Sequence, residues 1–313
     1  MTLRSAVLII GGAEVETLLG DGSRLIGPLE QALLAYSQGS ASAPPRIAAS
    51  SGRGLLAAMP AHVPGVGLAA KLVSIFPANR DLPSHQGMVA LFDEQDGRLL
   101  CLMDGRPVTA RRTAAVSAIS VRRIGPPGAL VLAVLGSGEQ ARAHVELLGP
   151  TFGEVRLAAR NGERARELMA SVGLCSLAAS FEEAIKEADV VVACTGAMSP
   201  VVRRAWLKPG AHLVSVGSGP ELEAAIVESA TLFVEWRGAA TCPPPAGAPD
   251  LQGVPAQRLT ELGEVVAGMR PGRRSDRELT VFRSTGLGVE DAAVASHLYR
   301  LARAGGLGHA VEW

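Results

Sequence analysis

Residues 129–143 read ALVLAVLGSGEQARA. An unbroken apolar run stops at Gly136-Ser137-Gly138, and a helical pattern begins at Glu139. Strand, glycine turn and helix in that order constrain the fold more than any other stretch of the chain. The spacing is G-x-G-x-x-A at Gly136, Gly138 and Ala141. Gly136 lets the chain turn sharply off the strand. Gly138 leaves room for backbone to approach a pyrophosphate, and Ala141 lets helix and strand pack closely. The free N–H groups and the positive dipole end of the helix then face phosphates, with Ser137, Glu139 and Gln140 in the same turn. The bare spacing also fits an ordinary strand–helix turn. The buried strand before it and the helix after it favour a dinucleotide site.

Strands and helices go on alternating beyond this turn. Strands read at 155–159, 189–194, 212–216 and 231–235, and helices at 163–172 and 181–186. That alternation predicts a parallel sheet wound on both faces, a Rossmann dinucleotide domain over residues 114–288. The earlier part of the chain differs. A helix at 26–36 precedes strand segments at 46–58, 67–76, 87–93 and 99–104, with Gln95-Asp96-Gly97 as a hairpin turn. These predict a separate, mostly β domain over 1–113, rejoined by a C-terminal helix over 289–313. A helix at 109–123 leads from one domain into the other. Gly11-Gly12 lacks the later small residue of a second dinucleotide motif and starts a helix instead. The stretch 241–255, with Pro243-Pro244-Pro245, predicts a loop.

A length of 313 residues suits two domains. Lys and Arg number 30 and Asp and Glu 30, so net charge is zero and neither nucleic acid nor an anionic membrane is an expected partner. The basic run at 270–277 contains Pro271, Gly272 and Asp276 and reads as a solvated loop. Cys101, Cys175, Cys194 and Cys242 form no C-x-x-C pair, and the six histidines have no ligand spacing, so no disulfide framework and no metal is expected. The apolar run at 6–10 is too short for a signal peptide, and no segment approaches the ~20 apolar residues of a membrane span. A cytoplasmic location is the expectation.

Five further segments carry a resemblance. They are AAKLVSIFP (69–77), LPSHQG (82–87), LLCLMDGRPVTARRTAAVSA (99–118), LTELGEVVAG (259–268) and TVFRSTGLGVEDAA (280–293). Together with GSGEQA they resemble the ornithine cyclodeaminase/mu-crystallin family over almost the whole chain. The family holds cyclodeaminases, alanine dehydrogenases and ketimine reductases. The resemblance implies a homodimer whose N-terminal, substrate-binding domains pair through their sheets. It also implies a nicotinamide nucleotide held between the two domains of each chain, and a small amino or imino acid as substrate.

The resemblance implies site residues too. Arg46 and Arg112 match the family's carboxylate-binding arginines, although either alone reads as a surface side chain. Arg suits that role by its planar fork of donors. Lys71, inside an apolar strand, matches the active-site lysine; two nearby arginines and partial burial would lower its pKa into the range useful for proton transfer. Ser84, His85 and Gln86 match a loop near the nicotinamide or its ribose, with His85 as a proton relay or a hydrogen-bonding group. Thr113 is expected at the cofactor phosphates, and Ser284, Thr285 and Gly286 in a turn closing over the nicotinamide.

The second strand of the dinucleotide domain ends Ala158-Ala159-Arg160-Asn161, with no carboxylate for a ribose 2′-OH. Arg160 and Asn161 therefore favour NADP(H) over NAD(H), unless Arg160 points to solvent and the site is unselective. One departure from the family matters most. Where cyclodeaminases and alanine dehydrogenases resemble V-G-x-D, this chain reads Val216-Gly217-Ser218-Gly219, with Glu221 nearby but offset behind Pro220. The expectation is an NADPH-dependent reductase of cyclic ketimine carboxylates. Ornithine cyclodeaminase is the alternative within the family, and a cofactor-binding protein without turnover the alternative outside enzymology.

Overall fold

A computed structural model describes residues 6–79 and 81–313. These form two compact units, one made of the chain up to Arg112 together with Leu287–Trp313, the other of Thr113–Gly286. The division thus falls one residue and two residues earlier than the limits of 113 and 288 read from the sequence.

The first unit begins with β1 (Ala6–Ile10), α1 (Gly12–Leu19) and α2 (Ile26–Ser37). Five strands follow: β2 (Ile47–Ser50), β3 (Leu55–Val63), β4 (Gly67–Ile75), β5 (His85–Phe92) and β6 (Leu99–Asp104). Alternation along β3 buries Ala57, Met59, Ala61 and Val63 and leaves Leu56 and Pro60 exposed. The sequence stops this strand at residue 58, ahead of Pro60, yet it runs on to Val63. The reason is register. β2 pairs with β3 only as far as Ala58, so the N–H that Pro60 lacks would face an edge without a strand. α3 (Gly105–Ile124) starts four residues before the expected position. Pro107 lies in its first turn, where a missing N–H costs no helical bond, and Arg106 N donates to Asp104 Oδ1 at 2.9 Å.

In the second unit the order along the chain is β7 (Val131–Leu135), α4 (Glu139–Leu148), β8 (Glu154–Ala158), α5 (Gly162–Val172), β9 (Ser176–Leu177), α6 (Phe181–Ile185) and β10 (Val190–Ala193). Then come β11 (His212–Ser215), α7 (Ala224–Ser229), β12 (Thr231–Val234), β13 (Leu259–Glu261), α8 (Leu262–Val266) and β14 (Thr280–Arg283). All eight strands are parallel, in the order β13-β12-β14-β11-β10-β7-β8-β9. Strands covered on both faces need continuous apolar runs, and VVVA of β10 is buried at every position. From β7 the chain winds outward through β8 and β9, then returns to the other side of β7 with β10. That reversal opens the crevice at the carboxyl ends of β7 and β10 where ligands bind in sheets of this kind. β14 inserts between β11 and β12, a placement the order of segments does not reveal.

The chain then re-enters the first unit as α9 (Gly288–Gly305) and β15 (His309–Glu312). The expected helix over 289–313 is therefore corrected: it ends at Gly305, and the last residues pair antiparallel with β1, Leu8 opposite Ala310. Helix propensity fails at Gly305-Gly306, and β1 offers an open edge. The completed sheet has the order β15-β1-β6-β5-β4-β3-β2, and among the described residues its only parallel pair is β1 with β6. α9 covers the face carrying Ala69, Lys71 and Val89. The opposite face carries Leu56, Leu68 and Met88, all exposed.

Candidate active site

Strand alternation sends Lys71 to the covered face of β4, between Met59 of β3 and Val89 of β5. The side chain is 3% exposed, and its Nζ lies 2.9 Å from Asp291 Oδ1. Arg112 of α3 reaches the same place, with Nη1 2.6 Å from Glu290 Oε2 and Nε 3.6 Å from Asp291 Oδ1. Both acids stand in the first turn of α9, where the helix dipole favours negative charge, and both are fully buried. Burial lowers the Lys71 pKa to about 8; the charge of Arg112 adds to the lowering, Asp291 opposes it, and Arg46 lowers it further. Arg46, half-buried just before β2, is thus felt at the lysine.

Glu290 and Asp291 were not singled out from the sequence, although their signal was there: two adjacent carboxylates in an otherwise apolar helix start, inside the segment TVFRSTGLGVEDAA. His85 is on the same sheet face as Lys71, but its strand partner is Ile75, four residues or about 13 Å along β4. Its Nδ1 lies 3.0 Å from Ser84 Oγ, and desolvation of the ring lowers its pKa. Gln86, next along β5, takes the opposite face by alternation, opposite Ser74.

In the second unit the glycine turn has the geometry its letters imply. Gly136 has a φ of 132°, and a Cβ there would come within 2.7 Å of the Cys194 carbonyl. The loops after β7 and β10 therefore approach too closely for any side chain. A Cβ on Gly138 would meet nothing within 4 Å, so the cradle in front of α4 is open for a diphosphate. Ala141 is completely buried, Ser137 is half-buried, and Glu139 begins the helix. Behind Gln140 sits a histidine the sequence reading passed over. His144, buried, has its pKa lowered to about 4 by desolvation and is neutral. Its Nδ1–H donates to the Gln140 carbonyl at 2.7 Å, leaving Nε2 to accept from Ser117 Oγ at 2.8 Å. Ser117 stands one turn beyond the buried Thr113 on α3. At the end of β8, Arg160 is exposed, and Asn161 caps α5 by accepting from Arg164 N at 3.0 Å.

The loop after β11 answers the question posed by the missing acid. Glu221 is buried, and its four bonds use both oxygens: Thr195 N and Oγ1 donate to Oε1, Ser215 Oγ and Gly217 N to Oε2, at 2.7–2.9 Å. It buttresses two loops and has no lone-pair direction left for a substrate. Arg283, the Arg of TVFRSTG, is also buried. It donates to the carbonyls of Gly217, Gly219 and Ser284 and pairs with Asp250 at 2.7 Å. Ser284 N donates to Ser215 O, Thr285 N to Glu235 Oε2, and Trp236 Nε1 to Thr285 Oγ1; Gly286 then turns the chain with a φ of 74°.

A Cβ at Gly219 would stand 1.9 Å from the Ala197 carbonyl oxygen. Gly219→Asp is therefore expected to destabilise the protein without creating deaminase activity, and Gly219→Ala to destabilise it similarly, because the methylene and not the charge collides. Thermal melts of the two variants check this; an aspartate variant as stable as the parent would show that the loop yields.

The model of the ornithine cyclodeaminase/mu-crystallin family matches residues 8–306. Ketimine reductase mu-crystallin of Rattus norvegicus is 39% identical over 312 residues, covering 95% of this chain and 98% of its own. Delta(1)-pyrroline-2-carboxylate reductase of Bacillus cereus (strain ZK / E33L) is 32% identical over 277 residues, 82% of this chain and 84% of its own. The structure of Thermococcus litoralis Delta(1)-pyrroline-2-carboxylate reductase in complex with NADH and L-proline has a TM-score of 0.90 at 28% identity, over 97% of this chain and 100% of that one. The chain belongs to the ornithine cyclodeaminase/mu-crystallin family and is an NAD(P)-dependent oxidoreductase of that family.

Proposed function

We propose that the protein reduces cyclic ketimine carboxylates with NADPH, giving a proline- or pipecolate-like amino acid. The observation that carries the reading is Lys71, buried against Asp291 beside Arg112, with a pKa near 8. A dry lysine of that acidity is matched to proton donation near neutral pH. Arg46 and Arg112 clamp the substrate carboxylate and orient the ring. Lys71 Nζ gives a proton to the imine nitrogen as the C=N pair moves onto it, and regains one from solvent. The reduced nicotinamide, when bound, supplies the hydride to the imine carbon. The open cradle at Gly138 and the α4 N-terminus suit its diphosphate. Gly219 and the saturated Glu221 count against ornithine deamination, which needs an acid at the substrate amine. The mu-crystallin relative is named a ketimine reductase and the Bacillus relative a pyrroline-2-carboxylate reductase, which agrees with imine reduction.

A panel of cyclic imino acids with NADPH, run beside L-ornithine with NAD, tests the reading. Imine reduction is expected, with little or no ammonia from ornithine. Lys71→Met is expected to abolish reduction while NADPH affinity stays within a few-fold. Near-normal turnover in that variant would remove Lys71 from the chemistry, and faster proline formation from ornithine than reduction of any imine would reverse the assignment.

The preference for NADPH rests on Arg160, exposed at the end of β8 where no carboxylate stands. Arg160→Ala is expected to weaken NADPH binding on the order of tenfold, as for loss of a charge-assisted phosphate contact, and to leave NADH nearly unchanged. Calorimetric titration of both cofactors decides it; equal losses would mean Arg160 makes no contact with a 2′-phosphate.

We also infer a homodimer formed through the uncovered face of the seven-stranded sheet. Contiguous exposed apolar surface marks interaction sites, and Leu56, Leu68 and Met88 share that face. Light scattering should find a dimer that the double change Leu56→Glu, Leu68→Glu converts to monomer. A parent protein that is monomeric at micromolar concentration would rule the dimer out.

A further inference from the structure

We propose that Asp291 is a positioning residue that sets both the place and the protonation of Lys71, an inference that rests on reading Lys71 as the proton donor. One oxygen of Asp291, Oδ1, lies 2.9 Å from Lys71 Nζ and 3.6 Å from Arg112 Nε. A single carboxylate from the start of α9 thus faces a strand cation and a helix cation at once. Its other oxygen, Oδ2, is buried and accepts no hydrogen bond from the described residues. The carboxylate is therefore not spent on capping or on holding backbone, as Glu221 is.

The charges around Lys71 come from every element packed on it. β3 and β5 present the uncharged Met59 and Val89. α3 presents Arg112, the segment before β2 is felt through Arg46, and α9 supplies Asp291. Burial, Arg112 and Arg46 all push the lysine toward its neutral form; Asp291 alone, among these groups, favours the ammonium. Without it the lysine would lose its proton at lower pH and would have nothing to give an imine. Glu290 is the internal control. It pairs with Arg112 at 2.6 Å, so its loss acts first on carboxylate binding.

The test compares pH profiles of kcat/KM for imine reduction, using D291N, D291E and E290Q. The parent should lose activity as pH rises through about 8. In D291N that alkaline limb is expected about one unit or more lower. D291E should restore most of the shift, and E290Q should raise KM and move the limb less than D291N does. A second readout needs neither cofactor nor turnover. Acylation of Lys71 by an amine-reactive reagent, followed by peptide mass spectrometry, requires the neutral amine and should set in at lower pH in D291N. If D291N does not fold, D291S carries the same two measurements. A folded variant whose limb and acylation onset coincide with those of the parent overturns the proposal. Failure of the underlying reading is distinct, since it appears as an unimpaired K71M or as a parent that reduces no imine.

Discussion

Glu290 and Asp291 are fully buried, and a carboxylate taken out of water is tolerable only where cations and donors meet it. Arg112 and Lys71 meet these two. The pairs join residues 71, 112 and 290–291, which lie on a strand, a connecting helix and the returning C-terminal helix. Breaking such a pair from one side typically costs about 3–5 kcal/mol, so the arrangement of β4, α3 and α9 is held strongly to one geometry. Replacing all four residues by well-packed apolar side chains would be expected to cost little or even to stabilise. The pairs therefore serve chemistry better than they serve stability. They keep a lysine dry enough for its pKa to fall and paired enough to hold a charge, as the proposed proton transfer requires.

The nucleotide unit solves a different problem with the same means. Its strands end in loops whose backbone must be held open toward a ligand, and two buried charged residues hold them. Glu221 accepts from the loops after β10 and β11, and Arg283 donates to the carbonyls of Ser215, Gly217, Gly219 and Ser284 and to Asp250 from the proline-rich stretch. The position where relatives in other branches of the family are expected to carry an acid is here closed to any side chain, since Gly219 lies against Ala197. The loss of the acid and the reassignment of Glu221 to structure fit one another. Both agree with the proposed reduction of a preformed imine rather than amine activation.

Much of this was legible in the letters. The glycine turn needs only local geometry, because the strand, the turn and the first helical turn are contiguous. The alternation of apolar runs and helices carried the doubly wound sheet, and motifs spread along the chain carried the family. Lys71 was legible because a lysine in an apolar strand is costly enough to need a reason. Glu290 and Asp291 escaped because an acidic pair at a helix start is ordinarily a solvated cap, and nothing local says that this one is buried. Asn161 has a second duty that the letters left unread: its side-chain oxygen caps α5.

The sequence by itself determined the local units: where strands give way to helices, which glycine turn lies open before a helix start, and which lysine is out of place in an apolar strand. Periods of two and 3.6 residues and the special backbone of glycine are properties of neighbours in the chain. Only the tertiary structure decided which carboxylate answers which cation, that the last residues leave the helix to pair with β1, that β14 slips between β11 and β12, and that Glu221 is saturated. Most of those are contacts between residues tens to hundreds of positions apart. Their partners are chosen by the desolvation cost of leaving any one of them alone, and that cost exists only once the chain has closed around them.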